Sequence, residues 1–174
     1  MNAMPQPNSP ELSLSVQTGD GVAELPVSRA RLRRWVRNAL QGGARITLRF
    51  VDRDEGLALN REHRGRDYAT NVLTFAYGAP ALPPGTDAPD EVSEPPWIEA
   101  DIVLCLPVID DEARAQGKPL DHHLAHLVTH GVLHAQGYDH EDDEGAAEME
   151  ALEAALLRRL RIPDPYAAER DRAT

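Results

Sequence analysis

The sequence predicts an α+β protein of mixed α/β layers, with a small sheet of about four strands packed with about five helices. Three observations lead there. Short runs alternate apolar and polar residues, longer runs place apolar residues three and four apart, and two helical runs come last in the chain. With 174 residues, 41% hydrophobic and 27% charged, the chain reads as a single domain over 1–174, with its core at about 10–166 and a tail at 167–174.

Leu12, Leu14 and Val16 alternate with polar residues as in a half-buried strand, and Gly19, Asp20 and Gly21 turn the chain. Ser28 caps a helix running to about Gln41, with Leu32, Trp35, Val36 and Leu40 on its apolar stripe. Its arginines, Arg29, Arg31, Arg33, Arg34 and Arg37, then read as a solvated face in preference to an RNA contact. Ile46, Leu48 and Phe50 mark a second strand, a short helix follows from about Asp54 to Arg64, and a third strand passes through Val72, Leu73, Thr74 and Phe75.

Residues 78–97 are rich in proline, glycine and acids without apolar periodicity, which predicts a long acidic loop. Ile98 to Leu106 forms a fourth strand, and Pro107 opens a short helix to about Ala115 that Gly117, Lys118 and Pro119 break. Two helices remain: Leu120 to Gln136, and Asp143 to Arg161 with Met149, Leu152, Leu156 and Leu160 buried.

Composition also bounds the function. The first residues lack a basic stretch followed by an apolar one, and no run approaches the ~18 apolar residues of a membrane span, so a cytoplasmic protein with no membrane partner is expected. The single cysteine, Cys105, lies in an apolar strand and reads as a buried side chain without catalytic role. A net charge of −11 argues against broad, non-specific nucleic-acid binding, which needs basic surface to displace counterions, but leaves room for a local basic cleft.

The stretch HGVLHAQGYDH, residues 130–140, carries the chemistry. His122, His126, His130 and His134 recur every four residues, so each is rotated by about 40° and raised about 6 Å from the last. Two neighbours can reach one metal ion, while three on a straight helix would span about 12 Å along its axis. Gly137, just past the helix, can adopt the left-handed conformation that turns the chain back. His130, His134 and His140 then form a facial set with an open fourth position. Three imidazoles without thiolate suit one Zn2+ ion first, with other divalent transition metals chemically acceptable.

The spacing matches that of zinc peptidases of the metzincin type, so a metzincin-like zinc helix is expected, but Gly131 stands where their glutamate base would be and leaves room beside the metal. His122, His123 and His126 have weaker claims; His126 reads as a packed or surface residue before a contact of the centre. Asp139 is a candidate either for orienting a ligand imidazole or for serving the positive end of the last helix, the role that suits Asp142, Asp143 and Glu144 better.

With these residues placed, the sequence resembles the YbeY family of bacterial endoribonucleases and rRNA maturation factors over about residue 30 to Tyr166. The most specific match is HGVLHAQGYDH; NREHRGRDYATNVLTF at 60–75, ADIVLC at 100–105, and MEALE followed by PDPY extend it. Ala69, Thr74 and Ala100 depart from the family's usual proline, serine and glycine, all outside the ligand set.

The resemblance implies that His130, His134 and His140 are zinc ligands and that Arg64 is the arginine facing the active-site cleft. It further implies an endoribonuclease for single-stranded rRNA, acting at the small-subunit 3′ end and in ribosome quality control, with the ribosome or small subunit and ribosome-associated proteins as partners. The rival readings are a zinc hydrolase of another substrate, such as a peptide, and a non-catalytic ribosome-associated module held by zinc. Whether water or the ribose 2′-hydroxyl attacks phosphorus stays open.

Overall fold

The computed structural model describes residues 11–77, 97–138 and 142–167. In chain order these form β1 (Leu12–Thr18), α1 (Arg29–Ala39), β2 (Ala44–Val51), α2 (Arg53–Arg64), β3 (Val72–Ala76), β4 (Ile98–Cys105), α3 (Leu106–Gln116), α4 (Leu120–Ala135) and α5 (Asp143–Arg159). The fold is α+β, with one four-stranded sheet of order β1-β2-β4-β3. β1 and β4 flank β2 in parallel, and β3 runs antiparallel to β4 at the edge. The expected acidic loop lies outside the described residues, apart from Trp97. Among the described residues no helix is long and apolar enough to cross a membrane.

Strand alternation sends two residue sets to opposite sheet faces. Ile46, Leu48 and Phe50 of β2 and Ile102 and Leu104 of β4 are fully buried on the face covered by α1, α4 and α5. Burying each such side chain contributes roughly 1.5–3 kcal/mol. The pairing register places Val16, Leu48, Ile102 and Thr74 in one row across the sheet. On the other face, Val51, Leu73, Val103 and Cys105 form a smaller cluster joined by Leu59 of α2 and Val108 of α3. Burial also pushes the Cys105 thiol above its usual pKa, as befits a packed rather than a nucleophilic cysteine.

The predicted helix ends fall within two residues of those found, and the two largest differences have local causes. α1 stops at Ala39, because Leu40 is already extended at φ −85° and ψ 139°. α5 stops at Arg159, and Arg161 takes a left-handed φ of 62°. Its buried face is also turned from the predicted one: Met149 and Leu156 are buried as expected, but Glu153, Ala154 and Leu157 are buried with them, while Leu152 and Leu160 are only partly covered.

The arginines of α1 are more than a solvated face. Arg29 donates to Val16 O at 3.0 Å and Arg33 to Leu12 O at 3.1 Å, tying the helix to the outer side of β1. Arg31 lies over the Trp35 ring at 5.2 Å and pairs with Asp121 of α4 at 3.0 Å. Among the described residues β1 has only β2 as a strand neighbour, and the first two bonds satisfy carbonyls of that edge strand.

Candidate metal centre and cleft

α4 is the element that positions the centre. Leu124, Val128, Val132 and Leu133 are fully buried, so the helix is held against sheet and neighbours on one side and presents His130 and His134 on another. The two rings are parallel within 7°, with centroids 6.4 Å apart. They line one cleft of about 190 Å³ with Arg64, Asn71, Val72 and Thr74. Arg64, distant in sequence, therefore shares one cleft with the predicted histidine pair. It ends α2, where Gly65 at φ 64° and ψ 21° closes the helix. Among the described residues the Arg64 guanidinium has no hydrogen-bond or carboxylate partner, unlike Arg61, which pairs with Asp67.

Each histidine is oriented through Nδ1. His134 Nδ1 donates to Tyr138 O at 3.1 Å, and His130 Nδ1 donates to Glu153 Oε1 at 2.5 Å. In the neutral ring, each bond places the proton on Nδ1 and leaves Nε2 its lone pair, the tautomer that a metal-ligating imidazole requires.

The His134 bond depends on the turn predicted at Gly137, which has φ 100°. Gly137 N donates to His134 O and Tyr138 N to Leu133 O, the paired bonds of a Schellman ending, so the chain reverses and brings the Tyr138 carbonyl back to the ring. Asp139 and His140 lie outside the described residues, and with them the third predicted ligand. Among the described residues no group of three histidine, cysteine or acidic side chains is arranged to hold a metal ion.

Glu153 is the group that sequence reading missed. Its carboxylate is completely buried. Burial pushes its pKa up, but hydrogen bonds from His126 and His130 outweigh this and bring it to about 2, so the acceptor is ionised. A signal was present: Glu153 follows Met149 by four residues and precedes Leu156 by three, an acid on an otherwise apolar helical stripe. His126 is packed, as expected, and bonds to the same carboxylate at 2.8 Å. His123 does not line the cleft; it is buried against Glu112 at 3.0 Å, whose carboxylate also accepts from Asn71 of the cleft at 3.0 Å, and burial lowers the His123 pKa despite that partner.

Gly131 faces the sheet and opens no extra space, contrary to the expected room beside a metal. It is buried over the sheet, where an added Cβ would lie 3.0 Å from Ile102 Cγ2 and 3.4 Å from Thr74 Oγ1. Glycine is there so that α4 can approach β4 and β3. Asp142 caps α5 by accepting from Gly145 N at 2.6 Å, with Asp143 and Glu144 in the first turn, as predicted.

A histidine pair held through Nδ1, facing an arginine across one cleft of an α+β fold, is an arrangement suited to an anionic ligand. A family model described as Endoribonuclease YbeY matches residues 21–161. Relatives named endoribonuclease YbeY include one from Cupriavidus pinatubonensis, 54% identical over 90% of this chain and 73% of its own length. Another, from Thiobacillus denitrificans, is 53% identical over 91% of this chain and 98% of its own. The solution structure of TM1509 from Thermotoga maritima aligns at a TM-score of 0.47 and 22% identity, over 85% of this chain and 91% of that one. The chain belongs to the YbeY endoribonuclease family, whose members are RNA-cleaving hydrolases.

Proposed function

We propose that this chain is a zinc-dependent endoribonuclease for single-stranded RNA that matures the 3′ end of small-subunit rRNA and serves ribosome quality control in the cytoplasm. The observation that carries the metal assignment is the pair of Nδ1 bonds, from His130 to Glu153 and from His134 to Tyr138 O. Two imidazoles so fixed fit a zinc ion, with His140 as the third ligand. A zinc ion supplies Lewis acidity toward a phosphoryl oxygen and a lowered pKa for water, to about 7.

The chain's own groups do the rest. Arg64 grips phosphate oxygens through its planar fork and offsets charge that builds up in the transition state. Asn71 and Thr74 line the same cleft and bound the space open to the scissile phosphate. No acid occupies the peptidase-base position, since Gly131 is packed on Ile102, which favours RNA, with its internal 2′-hydroxyl, over a peptide. A terminal 2′,3′-cyclic phosphate on the product would identify that hydroxyl as nucleophile, and a plain phosphate would identify water. The −11 charge suits substrate presented on a ribosome or by a bound protein, because free RNA is repelled by most of the surface.

The test is to purify the protein without added metal, measure bound zinc, and incubate wild type and His134→Ala with single-stranded rRNA carrying the 3′ precursor. Zinc-dependent cleavage by wild type, absent from His134→Ala and from chelated protein, is the expected result. Equal cleavage by both proteins would trace the activity to a contaminant and overturn the proposal.

A further inference from the structure

Two motifs take no part in the ligand set: MEALE at 149–153 and PDPY at 163–166. In the folded chain their last residues meet beneath the histidine helix. Tyr166 OH donates to Glu153 Oε2 at 2.5 Å, and His126 Nε2 lies 2.8 Å from the same oxygen and 3.1 Å from the Tyr166 hydroxyl. Asp164 Oδ1 accepts from Tyr166 N at 2.8 Å, which shapes the turn that delivers the tyrosine. The carboxylate thus divides its work. Oε1 serves His130, and Oε2 is held by two donors from α4 and the segment after α5.

We infer that Glu153 is a positioning residue of the metal centre and that Tyr166 and His126 together fix its orientation, so that MEALE and PDPY encode the outer support of His130. The inference rests on the reading of His130 as a ligand. An ionised carboxylate on Nδ1 does three things for the ring: it sets the tautomer, fixes the ring plane and raises the basicity of Nε2. A buried carboxylate needs its other oxygen satisfied as well, or it would turn or draw in water. His126 meets that need with its proton on Nε2, since its Nδ1 is buried and has no hydrogen-bond partner among the described residues. A purely structural role would call for any good acceptor at 153; the positioning role calls for a charged one.

Glu153→Gln separates these. The amide keeps the volume, but each of its two orientations sets its NH2 against a group that donates to Glu153: His130 in one, His126 and Tyr166 in the other. Tyr166→Phe removes one donor and leaves the carboxylate charged. Metal-free proteins are titrated with Zn2+ against a chelating indicator, and their Co2+ forms are examined by visible absorption. Loss of an outer partner weakens metal affinity by about 10–100-fold. Glu153→Gln is expected to fall in that range with a shifted Co2+ spectrum, and Tyr166→Phe to show a smaller loss in the same direction. Glu112→Gln, which alters the other carboxylate–histidine pair on this helix, is expected to bind like wild type. Circular dichroism melts of the metal-free proteins establish that each variant folds; if Glu153→Gln does not, the Tyr166→Phe affinity decides.

Wild-type affinity and an unchanged Co2+ spectrum in Tyr166→Phe and in any folded Glu153→Gln would overturn the inference and leave the zinc centre standing. Absence of Zn2+ binding by wild type, or equal binding by His130→Ala, would overturn the zinc reading itself. Both outcomes are read from metal binding alone, without RNA cleavage.

Discussion

Gly131 sits directly over Ile102, so close that a Cβ on the glycine would be 3.0 Å from the isoleucine Cγ2. Helix and sheet meet there without side-chain spacing, in the row that also holds Leu48 and Thr74. Restoring a peptidase-like glutamate should therefore damage the fold before it creates a base. Gly131→Ala sets about 1 kcal/mol of helix propensity against about 1–3 kcal/mol of overpacking, for a small net loss. Gly131→Glu adds a buried carboxylate to that strain and should lose about 3 kcal/mol or more, without gaining peptide hydrolysis. Urea unfolding measures both, and wild-type stability in the glutamate variant would contradict the packing account.

Arg64 should separate activity from stability. It is exposed at the end of α2, so Arg64→Ala is expected to change stability by no more than about 0.5 kcal/mol. RNA cleavage should drop by about 10²–10³, the usual cost of losing one stabilising donor at a transition state. Arg64→Lys should recover only part of this, because a point charge replaces a fork. Single-turnover cleavage beside a thermal melt checks the pair of effects; an active Arg64→Ala enzyme would remove the arginine from the mechanism.

Gly137 holds a backbone angle that side chains avoid, φ 100°. Gly137→Ala should cost about 1–2 kcal/mol. Because the same turn returns the Tyr138 carbonyl to His134, zinc affinity should fall together with stability. Isothermal titration of the metal-free variant tests the link: lower stability with unaltered affinity would show that the carbonyl is not needed to orient the ring.

The Asp121 carboxyl is held below its ordinary 3.8 by the hydrogen bond from Arg31, with burial opposing the shift. A lowered folded-state pKa means that the contribution is complete above 3.8 and is lost as pH falls through the folded value. Both side chains are over a third exposed, at 48% and 36%, so screening keeps it to about 0.5 kcal/mol. Asp121→Asn leaves Arg31 over Trp35 and should be less stable than wild type at pH 7, with the gap closing below pH 3.8. A gap that persists at pH 2 in denaturant titrations would assign the effect to packing.

Much of this was legible in the chain because period and punctuation carry it. The α1 stripe of Leu32, Trp35 and Val36, the break at Gly117 and the ending at Gly137 are local events, governed by residues within one or two turns. The histidine pair was legible for the same reason. The neighbours were not. Nothing in the β3 segment announces that it pairs antiparallel with β4, and the placement of Arg64 opposite His130 follows from that pairing and from where α2 docks. Gly131 misled because glycine in a helix signals a missing side chain without saying which surface comes close. Glu153 was passed over because an acid in a helix is ordinarily solvated, and only the partners that α4 and Tyr166 bring make it a buried one.

The bond from His130 to Glu153 joins two helices that the ribosome makes in sequence, α4 first and α5 after it. A nascent chain that has exposed α4 alone holds His130 without its carboxylate, while Arg64 and both predicted helix histidines are already synthesised. His130 therefore gains its acceptor only once α5 has docked on α4. A chain cut short before residue 153 would lack the acceptor that holds the His130 ring.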